Sequence, residues 1–207
     1  MDITLLNDFL SLKLEWLDIT DHGLNQLLGM CGPDLKVLSA KNTWIRGQHV
    51  RVTCPRLECL NLSGCMNVDD AGLNVLLSKC GANLKSLNVG ATEVSGAGIN
   101  VVCPLIDHLN LLLCRNVTDA SLNNLLRLWG PTLKEVKLKS TAILGRDLNQ
   151  PCPRLESLNL DMCENMTDGG LRNLLRLCGG YASHLKKLDL SCCHDISDRG
   201  LNRNGNL

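Results

Sequence analysis

Cysteine and histidine are the side chains of this sequence with the most scope for chemistry, as metal ligands or as nucleophiles. The 207 residues include 12 cysteines and 5 histidines. No two cysteines have the C-x-x-C spacing of zinc and redox sites, and no histidine stands at ligand spacing from them. Only Cys192-Cys193-His194-Asp195 resembles a site. Because Cys193 and Asp195 also occupy regular repeat positions, the sequence predicts no metal, no cofactor, no catalytic residue and no enzyme.

Ten of the 12 cysteines recur at regular positions, which argues against a disulfide framework. They form three sets: Cys31, Cys80 and Cys178; Cys54, Cys103 and Cys152; and Cys65, Cys114, Cys163 and Cys193. We expect that equivalent positions in stacked units do not face a partner, as a disulfide requires. The thiols are therefore predicted to be buried, reduced and packed as small hydrophobes. Reduced thiols favour the cytoplasm, with the nucleus as the alternative.

The elements that carry these residues repeat along the chain. The stretch 57–84 contains a short strand pattern, Leu57-x-x-Leu60-x-Leu62, then a turn, then a helical face of leucines that ends at Cys80-Gly81, where we expect a glycine C-cap. Shorter units alternate with it, and each has Thr-x-apolar-x-Gly in place of the helical pattern. The first apolar residues of successive units are 22 and 27 residues apart, so the pattern repeats every 49 residues.

Repeats of this length built on L-x-x-L-x-L are leucine-rich repeats. The predicted fold class is α/β, a leucine-rich-repeat solenoid or horseshoe. We expect parallel strands on the concave face, and helices alternating with short turns on the convex face. Residues 1–207 are predicted to form a single domain of about eight repeats, the last incomplete. Its uncapped ends predict self-association.

Polar residues at the corners of the units are assigned structural tasks. Cys, Thr or Asn just past each strand is expected to satisfy inward-pointing backbone amides. Pairs at the helix starts are expected to act as N-caps: Thr20/Asp21, Asp69/Asp70, Thr118/Asp119, Thr167/Asp168 and Ser197/Asp198.

The run C-P-x-L-x-x-L-x-L-x-x-C-x-N-[VM]-[TD]-D-x-x-L, from Cys54, Cys103 and Cys152 onward, resembles the cysteine-containing leucine-rich repeat. That repeat is best known from F-box/leucine-rich-repeat proteins, and the resemblance covers nearly the whole chain. It implies substrate recognition for a cullin-type (SCF) ubiquitin ligase, leading to proteasomal degradation. The residues before Phe9 are too few for an F-box, and the short units are shorter than the usual repeat of that family.

Composition excludes several other classes of function. Lys+Arg 21 balances Asp+Glu 21, so the chain lacks the basic excess of a nucleic-acid binder. No apolar run is long enough to span a membrane, and the first residues do not resemble a signal peptide. The predicted partners are therefore proteins.

Function is expected on the strand surface, since alternate strand residues point away from the core. The candidate partner-binding residues on the concave face are Asn61, Ser63, Asn88, Asn110, Lys137, Lys139, Asn159, Asp161 and Asp189, with Trp44 as an exposed aromatic. A plus-to-minus gradient from the lysines to the aspartates is expected to orient a peptide. A merely solvated face is the alternative for the strands, and packing against the N-terminal edge is the alternative for Trp44.

The leading hypothesis is a non-catalytic protein–protein interaction module, with a ligase role implied by the resemblance. The alternative is a free-standing leucine-rich-repeat scaffold, inhibitor or immune-type regulator without a ligase role.

Overall fold

Eight parallel strands form one open sheet in the order of the sequence. The computed structural model describes residues 10–180 and 184–201. The strands are β1 (Ser11–Lys13), β2 (Val37–Ser39), β3 (Cys59–Asn61), β4 (Ser86–Asn88), β5 (His108–Asn110), β6 (Glu135–Lys137), β7 (Ser157–Asn159) and β8 (Lys187–Asp189). Their central residues pair directly, from Leu12 through Leu38 and Leu60 to Leu188. The solenoid predicted from the sequence is confirmed.

Helices lie only in the long units of the described chain, as predicted. They are α1 (Asp21–Cys31), α2 (Asp70–Cys80), α3 (Asp119–Trp129), α4 (Asp168–Leu177) and the short α5 (Asp198–Leu201). The return segments at 43–53, 92–102 and 141–151 are turns, because a 22-residue unit lacks the length for a helix. None of the described helices combines the length and apolarity needed to cross a bilayer.

The hydrophobic core is a continuous column between the sheet and the helices. Leu60 and Leu62 of the strand segment and Leu73, Leu76 and Leu77 of α2 are at most 2% exposed. The same positions are filled by apolar side chains in the neighbouring units, so each unit buries its face against the next. No unit has a core of its own.

Gly81 ends α2 as predicted, but not for the expected reason. Its φ is −74°, a right-handed conformation that any residue adopts. A Cβ at this position would lie 2.6 Å from the sulfur of Cys103 in the next unit. Close packing between units therefore requires this glycine.

The predicted capping by the aspartates is wrong for Asp21, Asp70, Asp119 and Asp168. The N-cap residues are those before them; Asp69, for example, accepts a hydrogen bond from the Gly72 amide. The carboxylate of Asp119 instead accepts the backbone amides of Leu144, Gly145 and Asp147 in the following unit, at 2.8–2.9 Å. Asp21 and Asp70 each accept three amides of the following unit in the same way. Asp168 accepts the amide and the hydroxyl of Ser197 in the unit after it. These aspartates hold successive units together.

An asparagine one helical turn after three of these aspartates extends the same clamp. In α1, Asn25 accepts the Arg51 amide and donates to the His49 carbonyl. Asn74 and Asn123 make the corresponding bonds from α2 and α3. Residues four apart lie on one helix face, so the pair Asp-x-x-x-Asn binds a short unit along its whole corner.

The corner cysteines and threonines mainly satisfy carbonyls, which corrects the prediction, although Thr92 also accepts the Val94 amide at 3.4 Å. The Cys65 thiol donates to the Ala40 carbonyl of the preceding unit at 2.9 Å, and the Thr43 hydroxyl donates to the same oxygen. Cys114 with Thr92, and Cys163 with Thr141, repeat the arrangement. These carbonyls need a side-chain donor because the chain leaves the sheet there, so no strand amide bonds them.

One corner position has a positive φ in all eight units. The residues are Trp16, Asn42, Gly64, Ala91, Leu113, Ser140, Met162 and Cys192, with φ between 53° and 75°. Only one of them is glycine. The backbone leaves the sheet by the same left-handed turn each time, and stacking fixes it even where the side chain disfavours it.

The ten repeating cysteines are the ten buried ones, whereas Cys59 is partly exposed and Cys192 is exposed. However, the expectation that thiols do not face each other is wrong at one place. The sulfurs of Cys152 and Cys178 are 3.3 Å apart. Members of one cysteine set do not meet, but the loop before a strand packs beside the end of that unit's helix, which brings two different sets together.

Burial predicts the pattern of thiol reactivity. Desolvation raises the pKa of Cys54 and of Cys103 to about 11, so their reactive thiolates are scarce at neutral pH. A maleimide probe should label Cys192 rapidly, Cys59 slowly, and the remaining ten only after denaturation. Mass mapping of labelled peptides against time measures this; rapid native labelling of Cys65 or Cys114 would contradict the buried columns.

Candidate functional site

Most of the candidate residues lie in two parallel rows on the strand surface. Asn61, Asn88, Asn110, Lys137, Asn159 and Asp189 end their strands and are aligned by the pairing of β3 to β8. Ser63, Lys139 and Asp161 lie two residues further along and form the second row. The sheet thus brings together side chains that are up to 128 positions apart, from Asn61 to Asp189.

The asparagines of the first row have a structural task as well. The Asn110 side-chain oxygen accepts the Leu112 amide at 2.9 Å, and Asn61 and Asn88 bond the amide two residues on in the same way. In β8, Asp189 makes this bond through its carboxylate. The amide nitrogens of these three asparagines donate no hydrogen bond within the described part of the chain. Their donors remain available on three adjacent strands.

A hollow of about 250 Å³ lies at the centre of the concave face. Its polar lining comes from Ser86, Asn88, His108, Asn110, Glu135 and Lys137. Three candidate residues, Asn88, Asn110 and Lys137, therefore meet in one place. His108 is not among the residues predicted for this face; its position two residues before Asn110 on the same strand was the available signal.

The expected plus-to-minus gradient is weakened by local pairing. Lys139 forms an ion pair with Asp161, which raises the pKa of the lysine. Lys137 lies 2.9 Å from Glu135 on its own strand. Hydrogen bonds from the Ser191 hydroxyl and amide lower the pKa of Asp189, which also accepts a bond from Asn159. The hollow keeps unpaired donors, while the β7–β8 end is internally bonded.

A ladder of alternating charge runs along the other end of the strands. The residues are Lys36, Glu58, Lys85, Asp107, Lys134, Glu156 and Lys186. Adjacent members form ion pairs between Lys85 and Glu58, Lys134 and Asp107, and Lys186 and Glu156 at 2.7–3.2 Å. These exposed pairs fit the register of neighbouring units, and each is a small contribution to stability.

Trp44 lies apart from the strand rows, on the corner after β2. Its side chain is 59% exposed, and its indole N–H donates to the Asp18 carboxylate at 3.1 Å. The side chain thus bonds the first unit and also presents an exposed ring. It does not share a surface with Asn88 or Asn110.

No group of three potential metal ligands comes together among the residues that the structure describes. In the run from Cys192 to Asp195, Cys193 is buried and donates to the Leu160 carbonyl, while its three companions are exposed. The arrangement is that of a repeat corner, and its thiol bond is the one made by Cys65 and Cys114.

Comparisons with known proteins agree with this architecture. A leucine-rich-repeat family model matches residues 181–202. The fold is similar to a chain in the crystal structure of the Rad7 and Elc1 complex in yeast, with TM-score 0.57 and 15% identity over 92% of this chain and 44% of that one. An internalin (inlF) from Listeria monocytogenes is similar with TM-score 0.46 and 14% identity, over 91% and 69% of the two chains.

No curated protein matches the sequence significantly. The chain spans less than half the length of its match in the Rad7 and Elc1 complex. The likeness to solved structures is one of fold: this chain has the leucine-rich-repeat architecture.

Proposed function

We propose that this leucine-rich-repeat chain is a non-catalytic protein-binding module whose partner contacts the concave face. The hollow between β4 and β6 carries the proposal. It collects the unused amide donors of Asn88 and Asn110 next to Lys137 and His108. Lys137 is paired with Glu135 and His108 with Asp107, so the asparagine amides remain as free donors of the hollow. A row of such donors suits a protein segment that presents carbonyl oxygens.

The sheet is suited to this task because its side chains are held in place. The side-chain oxygen of each asparagine accepts a hydrogen bond from the backbone amide two residues on. This bond fixes the orientation of the side-chain amide group, and so also of its free nitrogen donor. Preorganised donors lose little conformational entropy on binding. The described residues of the two strand rows include no large aromatic side chain, so we expect recognition through polar contacts over several strands.

We further propose that the module recognises substrates for a cullin-type ubiquitin ligase. This proposal is supported by the resemblance of the repeat motif to F-box/leucine-rich-repeat proteins. The similar chain of known structure was crystallised in a complex of two proteins, Rad7 and Elc1. Co-purification of the full-length protein with a ligase adaptor tests this role. If the protein captures other partners but no adaptor, a free-standing scaffold or regulator is favoured. We place this function in the cytoplasm or nucleus.

Replacing Asn88 and Asn110 with aspartate tests the concave face without disturbing its turns. A carboxylate can accept the same backbone bond, as Asp189 does, but it removes both free donors and adds two negative charges. We expect the amount of the main partners captured from cytosol to fall about tenfold in quantitative affinity capture.

The matched control is Asn67→Asp with Asn165→Asp. These residues lie on corners after β3 and β7, and their side chains make no hydrogen bond in the described part of the chain. The control changes net charge equally and should leave capture unchanged. If both double variants keep the same partners, the concave-face proposal is wrong.

A further inference from the structure

A second groove, of about 630 Å³, lies between α1 and the corner that follows β2. Helix α1 contributes His22, Asn25 and Gln26, and the corner contributes Trp44 and the basic residues between 46 and 51. None of these residues belongs to the strand rows. The groove is thus a surface separate from the concave face.

The backbone of this groove is held rigidly by the repeat itself. Asp21 accepts the amides of Arg46, Gly47 and His49 at 2.9 Å. Asn25 accepts the Arg51 amide and donates to the His49 carbonyl. Five hydrogen bonds therefore fix the backbone of the corner against α1.

The basic side chains are not part of that scaffold, as the other short units show. The positions of Arg46, His49 and Arg51 are filled by Ser95, Gly98 and Asn100 in the second short unit, and by Leu144, Asp147 and Asn149 in the third. The same Asp and Asn clamps hold all three corners. His22 likewise corresponds to Ala71 and Ala120, and Trp44 to Glu93 and Ala142. The fold requires none of these groove side chains.

The exposed charged side chains that line the groove are cationic, which suits an anionic ligand. In the described part of the chain, Arg46 and Arg51 form no ion pair, and the side chains of His22 and His49 are exposed with them. Asp21 is 5% exposed and its oxygens are occupied by backbone amides. Two carboxylates outside the lining, Asp18 and Asp69, keep their charge and accept hydrogen bonds from the Trp44 indole and the Gln48 side-chain amide.

We propose that this groove binds an acidic segment of a partner protein, with an aromatic or apolar side chain placed against Trp44. Guanidinium groups recognise carboxylate and phosphate oxygens through paired hydrogen bonds. The exposed indole ring supplies apolar contact beside them, as in other interface hot spots. This site is independent of the concave face, so it does not rest on the function proposed above.

The test variant replaces Arg46 with serine and Arg51 with asparagine, the residues of the second short unit. Its control replaces Arg146 with serine and Arg154 with asparagine, which removes two exposed arginines elsewhere. Fluorescence polarisation would measure binding of a labelled peptide with glutamate clusters around one phenylalanine, its phosphoserine version, its glutamine version and a single-stranded RNA. Equal melting temperatures of the two variants and the parent verify the fold.

We expect the Arg46/Arg51 variant to bind the glutamate or phosphoserine peptide about tenfold more weakly, and the control variant to bind within about twofold of the parent. Trp44→Ala should weaken binding of the glutamate peptide, and should leave unchanged the binding of a version with alanine in place of the phenylalanine. Equal loss in both double variants, no loss in either, or tight binding of the glutamine peptide would each overturn the proposal. RNA bound more tightly than either acidic peptide, with the same dependence on Arg46 and Arg51, would assign the groove to nucleic acid instead.

Discussion

Replacing Gly72 with alanine should lower the free energy of unfolding by about 3 kcal/mol. Gly72 lies in the first turn of α2, and a Cβ there would lie 1.9 Å from the Arg46 carbonyl oxygen. That oxygen belongs to a corner already bound to Asp21 of the preceding helix. The corner is held from both sides, so the added methyl group must push two stacked units apart.

Gly29→Ala in α1 is the matched control, because a Cβ at Gly29 meets no atom within 4 Å. Alanine there should stabilise the protein by up to about 1 kcal/mol through helix propensity alone. Urea denaturation followed by circular dichroism measures both changes. Stability unchanged by Gly72→Ala would mean that α2 and the corner are not packed as closely as the structure has them.

Asp119→Ala should destabilise the protein by a similar amount, about 3 kcal/mol. The carboxylate is 5% exposed and accepts three backbone amides, from Leu144, Gly145 and Asp147. Alanine leaves these donors without an acceptor where water has little access. Asp119→Asn retains one acceptor oxygen and should recover part of the loss.

Asp34→Ala removes an aspartate of a different kind. Asp34 forms an ion pair with Arg56, and their side chains are 47% and 67% exposed. Its loss should cost no more than about 1 kcal/mol. Hydrogen exchange adds a local measure: in Asp119→Ala the amides at 144–147 should exchange faster than those at 95–98. Similar effects of the two aspartate substitutions would show that Asp119 does not act as a clamp between units.

The tasks of individual polar residues were harder to predict than the repeat that carries them. The sequence shows Asp119 beside Thr118 at a helix start, where capping explains both residues. Its true partners lie 25 to 28 residues later, on a corner whose distance from α3 depends on how the units stack. The recurrence of Asp and Asn four residues apart, at 21/25, 70/74 and 119/123, was the signal that pointed beyond a cap.

The packing requirement at individual glycines was equally hard to predict from the sequence. Gly72 has no counterpart in α3, where Ser121 occupies the equivalent position and completes a capping box with Thr118. Gly170 in α4 is the counterpart of Gly72, and a Cβ there would lie 1.9 Å from the Leu144 carbonyl oxygen. The glycine thus recurs in α2 and α4 but not in α3, and the repeat pattern does not give the reason. The requirement at Gly72 arises because the Arg46 carbonyl approaches α2 closely, whereas at the next corner Gly96 meets the Leu125 side chain instead.

The sequence by itself determined the strands, their register, the alternation of helices with turns and the burial of ten cysteines. These features follow from apolar periodicity, which each unit carries locally and which stacking merely repeats. Tertiary structure decided which asparagines share a hollow with His108, how Asp119 clamps the next unit, why Cys152 meets Cys178, and where Arg46 and Arg51 form a groove with Trp44. Those relations depend on distances between units, and no residue spacing within one unit specifies them.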